Sequence, residues 1–304
     1  MMCDTMNTKK LITYILCAFL PMVGIGVVMH SISAASANAS VDPATVTPLS
    51  AILGALLSSV AMLLPMLAVI ITQVLNNEPV FKNLDINFKV NKWWVIGWIL
   101  MPVVALAVLG ITLMMPGAKW SPDSELMQLT MQSMPEGLGI WGVVAITLVS
   151  GLFAGVTINA LFAFGEEIGW RGYLLKIFKG KSFMATALVT GIIWGLWHAP
   201  LILNGHNYPQ HPVAGVFMMV GMCVALTPML MYFRMKSGSV IVPAIMHGTF
   251  NGVVGLSMVL VTPANDLLYG GPGLAGIITF LIVDLCLYIY DRFISKDNVF
   301  SSLM

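Results

Sequence analysis

Apolar positions along this chain gather into long unbroken runs separated by short polar joints, without the strict alternation of strands or the one-sided stripes of surface helices. Eight runs approach the roughly 20 apolar residues that a helix needs to cross a bilayer core: 11–29, 49–75, 93–115, 140–164, 183–203, 213–233, 239–261 and 274–290. The pattern predicts an all-α polytopic membrane bundle of about eight transmembrane helices, read as a single transmembrane domain over residues 1–304. The fourth run is irregular, because its apolar character continues to residue 178, about twice what one span requires. A span over about 152–176, preceded by an outer amphipathic or interfacial segment, would accommodate it. Run 11–29 follows Lys9 and Lys10 and precedes a Ser/Ala-rich stretch, as a cleavable signal would. It is longer than the usual signal core of about 7 to 15 apolar residues, which favours a retained helix.

Composition agrees: 58% of residues are hydrophobic and 9% charged, against about a quarter charged in soluble domains. The net charge of +1 comes without a basic patch, which excludes a nucleic-acid partner. Charge placement then predicts orientation. Of the 14 basic residues, all but Lys119 fall in alternate connections or at the chain ends, so the positive-inside bias predicts both termini cytoplasmic. The four cysteines show no C-x-x-C spacing, which argues against a thiolate zinc site or a disulfide framework. The 23 methionines lie mostly in apolar runs, where a flexible side chain fills irregular gaps.

Against this background, A-F-G-E-E-I-G-W-R-G-Y at 163–173 stands out. Charges within a membrane helix are expensive and are functional suspects by default. On a helix Glu167 and Arg171 can pair at i, i+4, while Glu166 points about 100° away and stays available as a general base or acid. A structural reading, in which all three form a salt-bridge network between helices, competes. Counted along straight helices at about 1.5 Å per residue, Glu166 lies roughly 15 Å from the basic end, His247 and Asn251 roughly 12 Å, and His198 roughly 22 Å. His198 is thus out of register with the others. Together these side chains supply the parts for hydrolysis: a base to deprotonate water, a proton for the leaving amine and donors for an oxyanion. Zn²⁺ held by Glu166, His198 and His247 would be another hydrolytic arrangement, although H-E-x-x-H is absent. No cofactor is the preferred expectation.

E-E-x-x-x-R at 166–171, aromatic-x-x-x-H at 194–198 and H-x-x-x-N at 247–251 resemble the three motifs of the CAAX prenyl endopeptidase and bacteriocin self-immunity family, which includes the Ras-converting enzyme. The similarity covers about 152–261, taken as the catalytic core. Trp194 stands where the eukaryotic pattern has Phe, a change expected to alter packing or groove shape more than chemistry. The resemblance implies an intramembrane endopeptidase whose site opens to the cytoplasm, acting on membrane-embedded or lipidated, including prenylated, substrates. It further implies that Glu166 and His198 activate water, that Arg171 orients Glu167, and that His247 and Asn251 form an oxyanion hole.

Other readings are a proton-coupled transporter, since intramembrane carboxylates and histidines also build proton relays, and a non-catalytic immunity or scaffold protein. The absence of paired interrupted segments argues against the transporter. Asp284, in the last run, is expected to bond a neighbouring helix or support the site. Gly151 and Gly155 predict close packing within the bundle, and Asn159 an interhelical hydrogen bond. Oligomeric state is not legible.

Overall fold

The computed structural model describes residues 2–38, 43–135 and 137–304. Helices α1 (Met2–Asn38), α2 (Pro43–Ala61), α3 (Leu64–Leu75) and α4 (Lys92–Met114) lead through β1 (Lys119–Trp120) and α5 (Glu125–Gln132) to α6 (Ile140–Val156) and α7 (Ile158–Glu167). A π-helical turn, Ile168–Tyr173, continues α7 into α8 (Leu174–Ile177). Then follow α9 (Phe183–Trp197), α10 (Ala199–Ile202), α11 (Pro212–Ser237), α12 (Ile241–Val253), α13 (Leu256–Leu260), β2 (Val261–Thr262) and α14 (Leu274–Ile289). Among the described residues the strands form one antiparallel pair, β1–β2, with Lys119 opposite Thr262, and a single further bridge pairs Ser182 with Leu303.

Seven helices among the described residues are long and apolar enough to cross a membrane, and α6 with α7–α8, bent by 54° at their break, makes an eighth if the pair is counted as one span. This is an integral multi-pass membrane protein. The bend explains the overlong fourth run: helix continues through it but breaks at Thr157, five residues past the expected start of the span at 152. Span Ile52–Leu75 is also interrupted, at Met62 and Leu63, where Pro65 in the first turn of α3 offers no N–H to the preceding turn.

The lysine- and arginine-bearing connections meet at one end of the bundle. Glu78 accepts from Lys10 and, at 2.7 Å, from Lys176, so the start of α1, the 76–91 connection and the end of α8 are neighbours. Partial burial pushes the Glu78 carboxyl up, and the two ammonium groups outweigh it and hold it below the usual carboxylate range. Arg234 pairs with Asp85 and Lys236 with Asp297 at this same end. The opposite end carries β1–β2, the Tyr269 hydroxyl donating to the Pro116 carbonyl, and an Asp266 carboxylate that receives the Gln210 N–H and pairs with His211. Helix α1 lies within the bundle, where the Trp197 indole donates to the Ala18 carbonyl and Asn204 to the Gly26 carbonyl.

Helix α12 sits deep because α6 and α7 approach it through small residues. A Cβ at Gly155 would lie 1.9 Å from Thr249 Oγ1, and one at Gly151 would lie 3.1 Å from the Gly252 backbone. The G-x-x-x-G pair thus packs inside the bundle, and Asn159 donates to the Gly248 carbonyl across the same seam, as expected of both. Gly155→Leu should lower stability by about 1–3 kcal/mol through overpacking. Gly110→Ala, which has no atom within 4 Å of the added carbon, should stay within about 1 kcal/mol of the parent; thermal unfolding in detergent compares the two.

Candidate active site

Glu166, Glu167 and Arg171 are all buried, at 2%, 0% and 0% exposure. Arg171 donates through Nη1 to Glu167 Oε1 at 3.0 Å, the i, i+4 pair expected from spacing. It also donates through Nη2 to Thr227 on α11 at 3.0 Å, and its guanidinium lies 4.2 Å from the centre of the Trp194 indole on α9. The same Glu167 oxygen receives His247 Nδ1 from α12 at 2.9 Å. One ion pair therefore ties α7, α9, α11 and α12 together, in a medium where an unpaired charge is strongly unfavourable.

Glu166 points away from this cluster, as helical geometry requires. It has no cationic partner, but its Oε2 accepts the Trp194 indole N–H at 2.6 Å and the Trp170 N–H at 3.3 Å. The substitution of Trp for Phe at 194 is thus not only a matter of packing, because it adds a donor that Phe lacks. Trp170 was within reach of sequence reasoning, standing four residues from Glu166. Thr227 and the reach of Trp194 depend on tertiary packing.

His198 caps the C-terminal end of α9, where its Nδ1 lies 2.9 Å from the Trp194 carbonyl. A carbonyl only accepts, so Nδ1 carries the hydrogen and Nε2 keeps a free lone pair. Despite its expected greater depth, His198 lines the same cavity as Glu166, His247 and Asn251, a space of about 270 Å³. Trp197 packs edge-on against His198, with ring centres 4.9 Å apart, and Trp194 edge-on against His247 at 5.4 Å. Glu167 and Arg171 stand behind the wall, holding His247. Ser58, Ser59, His206 and Asn207 also line the cavity and were not singled out from sequence. His206 and Asn207 lie in the connection 203–211, towards the end of the bundle without the lysine cluster.

Asp284 does not line this cavity. It borders a separate, largely apolar pocket with Pro228, Leu281 and Tyr288, and its Oδ1 has no hydrogen-bond partner among the described residues. Among the described residues no three His, Cys, Asp or Glu side chains are grouped as a metal site. The two indole N–H groups on Glu166 Oε2 occupy lone pairs that a metal ion would need on that oxygen. Glu166, His198 and His247, the Zn²⁺ set considered from sequence, are not grouped as such a site.

The fold and the buried carboxylate–histidine site define a multi-pass membrane protein with a polar cavity inside its bundle. Residues 140–253, which carry all three motifs, match the family model described as Type II CAAX prenyl endopeptidase Rce1-like, so the resemblance drawn from the motifs is borne out over this stretch. The chain is also similar to CAAX prenyl protease 2 of Methanococcus maripaludis, 41% identical over 44 residues, which is 14% of this chain and 16% of that relative.

Arg171→Met should be strongly destabilising, by about 3–5 kcal/mol, because it leaves Glu167 buried with only His247 as partner. Adding Glu167→Gln should recover part of that loss, read as the apparent Tm in detergent. Additive losses in the double variant would contradict the pairing.

Proposed function

We propose that this protein is an intramembrane endopeptidase that hydrolyses a peptide bond of a membrane-associated protein or peptide. The observation that carries the reading is that Glu166, His198, His247 and Asn251, from three separate motifs, line one cavity within an Rce1-like stretch. Glu166 and the free Nε2 of His198 take a proton from water. The resulting hydroxide adds to the scissile carbonyl, and the negative charge that develops on its oxygen is met by Asn251 and His247. Donation from His247 Nε2 requires the doubly protonated ring, whose charge Glu167 balances through Nδ1. The abstracted proton then passes to the leaving nitrogen as the C–N bond breaks. The indole donors of Trp170 and Trp194 fix one oxygen of Glu166 and leave the other towards the cavity.

The prenyl protease name of the short match supports lipidated CAAX-type tails as one substrate class. The Rce1-like match favours the protease over the transporter reading. A scaffold would have no use for a Glu166 held by two donors and open to a cavity.

Two substitutions test this in nanodisc-reconstituted protein with membrane-embedded peptides, prenylated and unprenylated. Glu166→Gln should reduce cleavage by at least about 100-fold with an unfolding temperature near that of the parent. Full activity in that variant would overturn the mechanism. Trp194→Phe should lower kcat by roughly 10-fold or more, the worth of one hydrogen bond to a charged group, with KM little changed. Parallel assays with a chelator read any metal requirement directly.

A further inference from the structure

Beyond the packed layer of Tyr14, Trp170 and Tyr173, at the rim of the lysine-bearing end, lies a second cavity of about 660 Å³. It is walled by Leu175 and Lys176 of α8, by Lys179 just past that helix, by Asp85 in the 76–91 connection, and by Arg234 and Met235 in the last turn of α11. Charge here is unbalanced. The Glu78 carboxylate is shared between Lys10 and Lys176, and Asp85 serves Arg234. Lys179 is exposed and has no acid partner among the described residues. Lys10, Lys176, Lys179 and Arg234 thus face only Glu78 and Asp85 around this cavity. Asp85 is itself 49% exposed, so water screens it and weakens its hold on Arg234. Arg234 also reaches inward, its Nε donating to the Arg171 carbonyl at 3.2 Å, and so links the cavity wall to the π-helical turn that carries the buried ion pair.

We propose that this cavity binds the phosphate headgroup of an anionic phospholipid, with Lys176, Lys179 and Arg234 on the phosphate oxygens and Leu175 and Met235 against the glycerol and first acyl carbons. Phosphate suits these cations, because a guanidinium offers it paired hydrogen bonds and ammonium groups add point charge. A free phosphate would find the same cations but would leave the apolar part of the wall uncovered. Position favours the lipid as well. The positive-inside bias expects this end at the cytoplasmic leaflet, whose anionic lipids attract lysine and arginine near the surface, and basic pockets between membrane helices on that side take such headgroups. The volume falls in the range of about 300–1,000 Å³ usual for small-ligand sites. A bound headgroup ties α8 to α11 and stabilises the folded chain by mass action. None of this depends on peptide cleavage.

Thermal unfolding of the full chain in mixed detergent–lipid micelles tests the site. Dioleoylphosphatidylglycerol should raise the apparent Tm by about 3 °C or more over the same mole fraction of dioleoylphosphatidylcholine. Inorganic phosphate at equal concentration should give less than half that shift. Lys179→Glu alters an exposed side chain with no acid partner among the described residues, so it leaves the fold intact and should remove at least half of the phosphatidylglycerol shift. Lys89→Gln combined with Lys92→Gln changes the net charge by the same amount at the same end of the bundle, outside the cavity lining, and should keep the shift. Equal shifts with the two lipids, a shift that survives Lys179→Glu, one lost equally in the paired control, or one matched by inorganic phosphate would each overturn the proposal. The readout needs no substrate, so its failure is distinct from failure of the endopeptidase reading.

Discussion

The ion pair between Glu167 and Arg171 is the constraint on which the rest of the structure depends. Charges buried in an apolar bundle persist only when paired and hydrogen-bonded, and here the partners come from different helices. Thr227 on α11 accepts from Arg171, His247 on α12 bonds Glu167, and Trp194 on α9 stacks over the guanidinium, while Glu167 Oε2 and Arg171 Nε have no partner among the described residues. Satisfying these groups fixes the positions of three helices relative to the one that carries the glutamates. Glu166, the next residue along, inherits that placement, and the indole of Trp194 serves both carboxylates, stacking on the partner of one and donating to the other.

Helix continuity is given up where the cavity needs it. The turn at Met62 between α2 and α3, the cap at His198 between α9 and α10, and Val254 at the end of α12 all line the same space. Irregular backbone inside a membrane is tolerated where protein buries it or where it borders a polar cavity, and these breaks satisfy that condition. The π-helical turn after Glu167 is a further departure, of a kind frequent at functional sites. Gly165 lets α7 press against the first of these breaks, since a Cβ there would lie 2.5 Å from the Met62 carbonyl oxygen.

Much of this was legible in the sequence because it depends on local spacing. The apolar runs marked the spans, i, i+4 spacing paired Glu167 with Arg171, and the small residues of α6 predicted close packing within the bundle. What escaped depends on three-dimensional shape. Thr157 gives no signal of a 54° bend, because an apolar run looks the same whether straight or broken. Counting along a straight helix put His198 too deep relative to Glu166, whereas the lateral shape of the cavity brings both into it. Trp194 read as a packing residue because its donor acts through tertiary contact. Thr227 sits in an apolar run with nothing nearby to mark it.

The two halves of the bundle do different physical work. The half near the lysines is solid, with Tyr14, Trp170 and Tyr173 packed around the ion pair, and it excludes water from the charged pair where screening would weaken it. The other half is hollow and partly polar, with serine, histidine and asparagine side chains able to hold water without stranding it. Glu166 stands at the boundary between them, its Oε2 fixed by indoles of the solid half while its other oxygen remains available to the hollow one. Rigid support on one side and access to a polar cavity on the other, the two conditions a carboxylate acting on water would need, both follow here from where a single ion pair is buried.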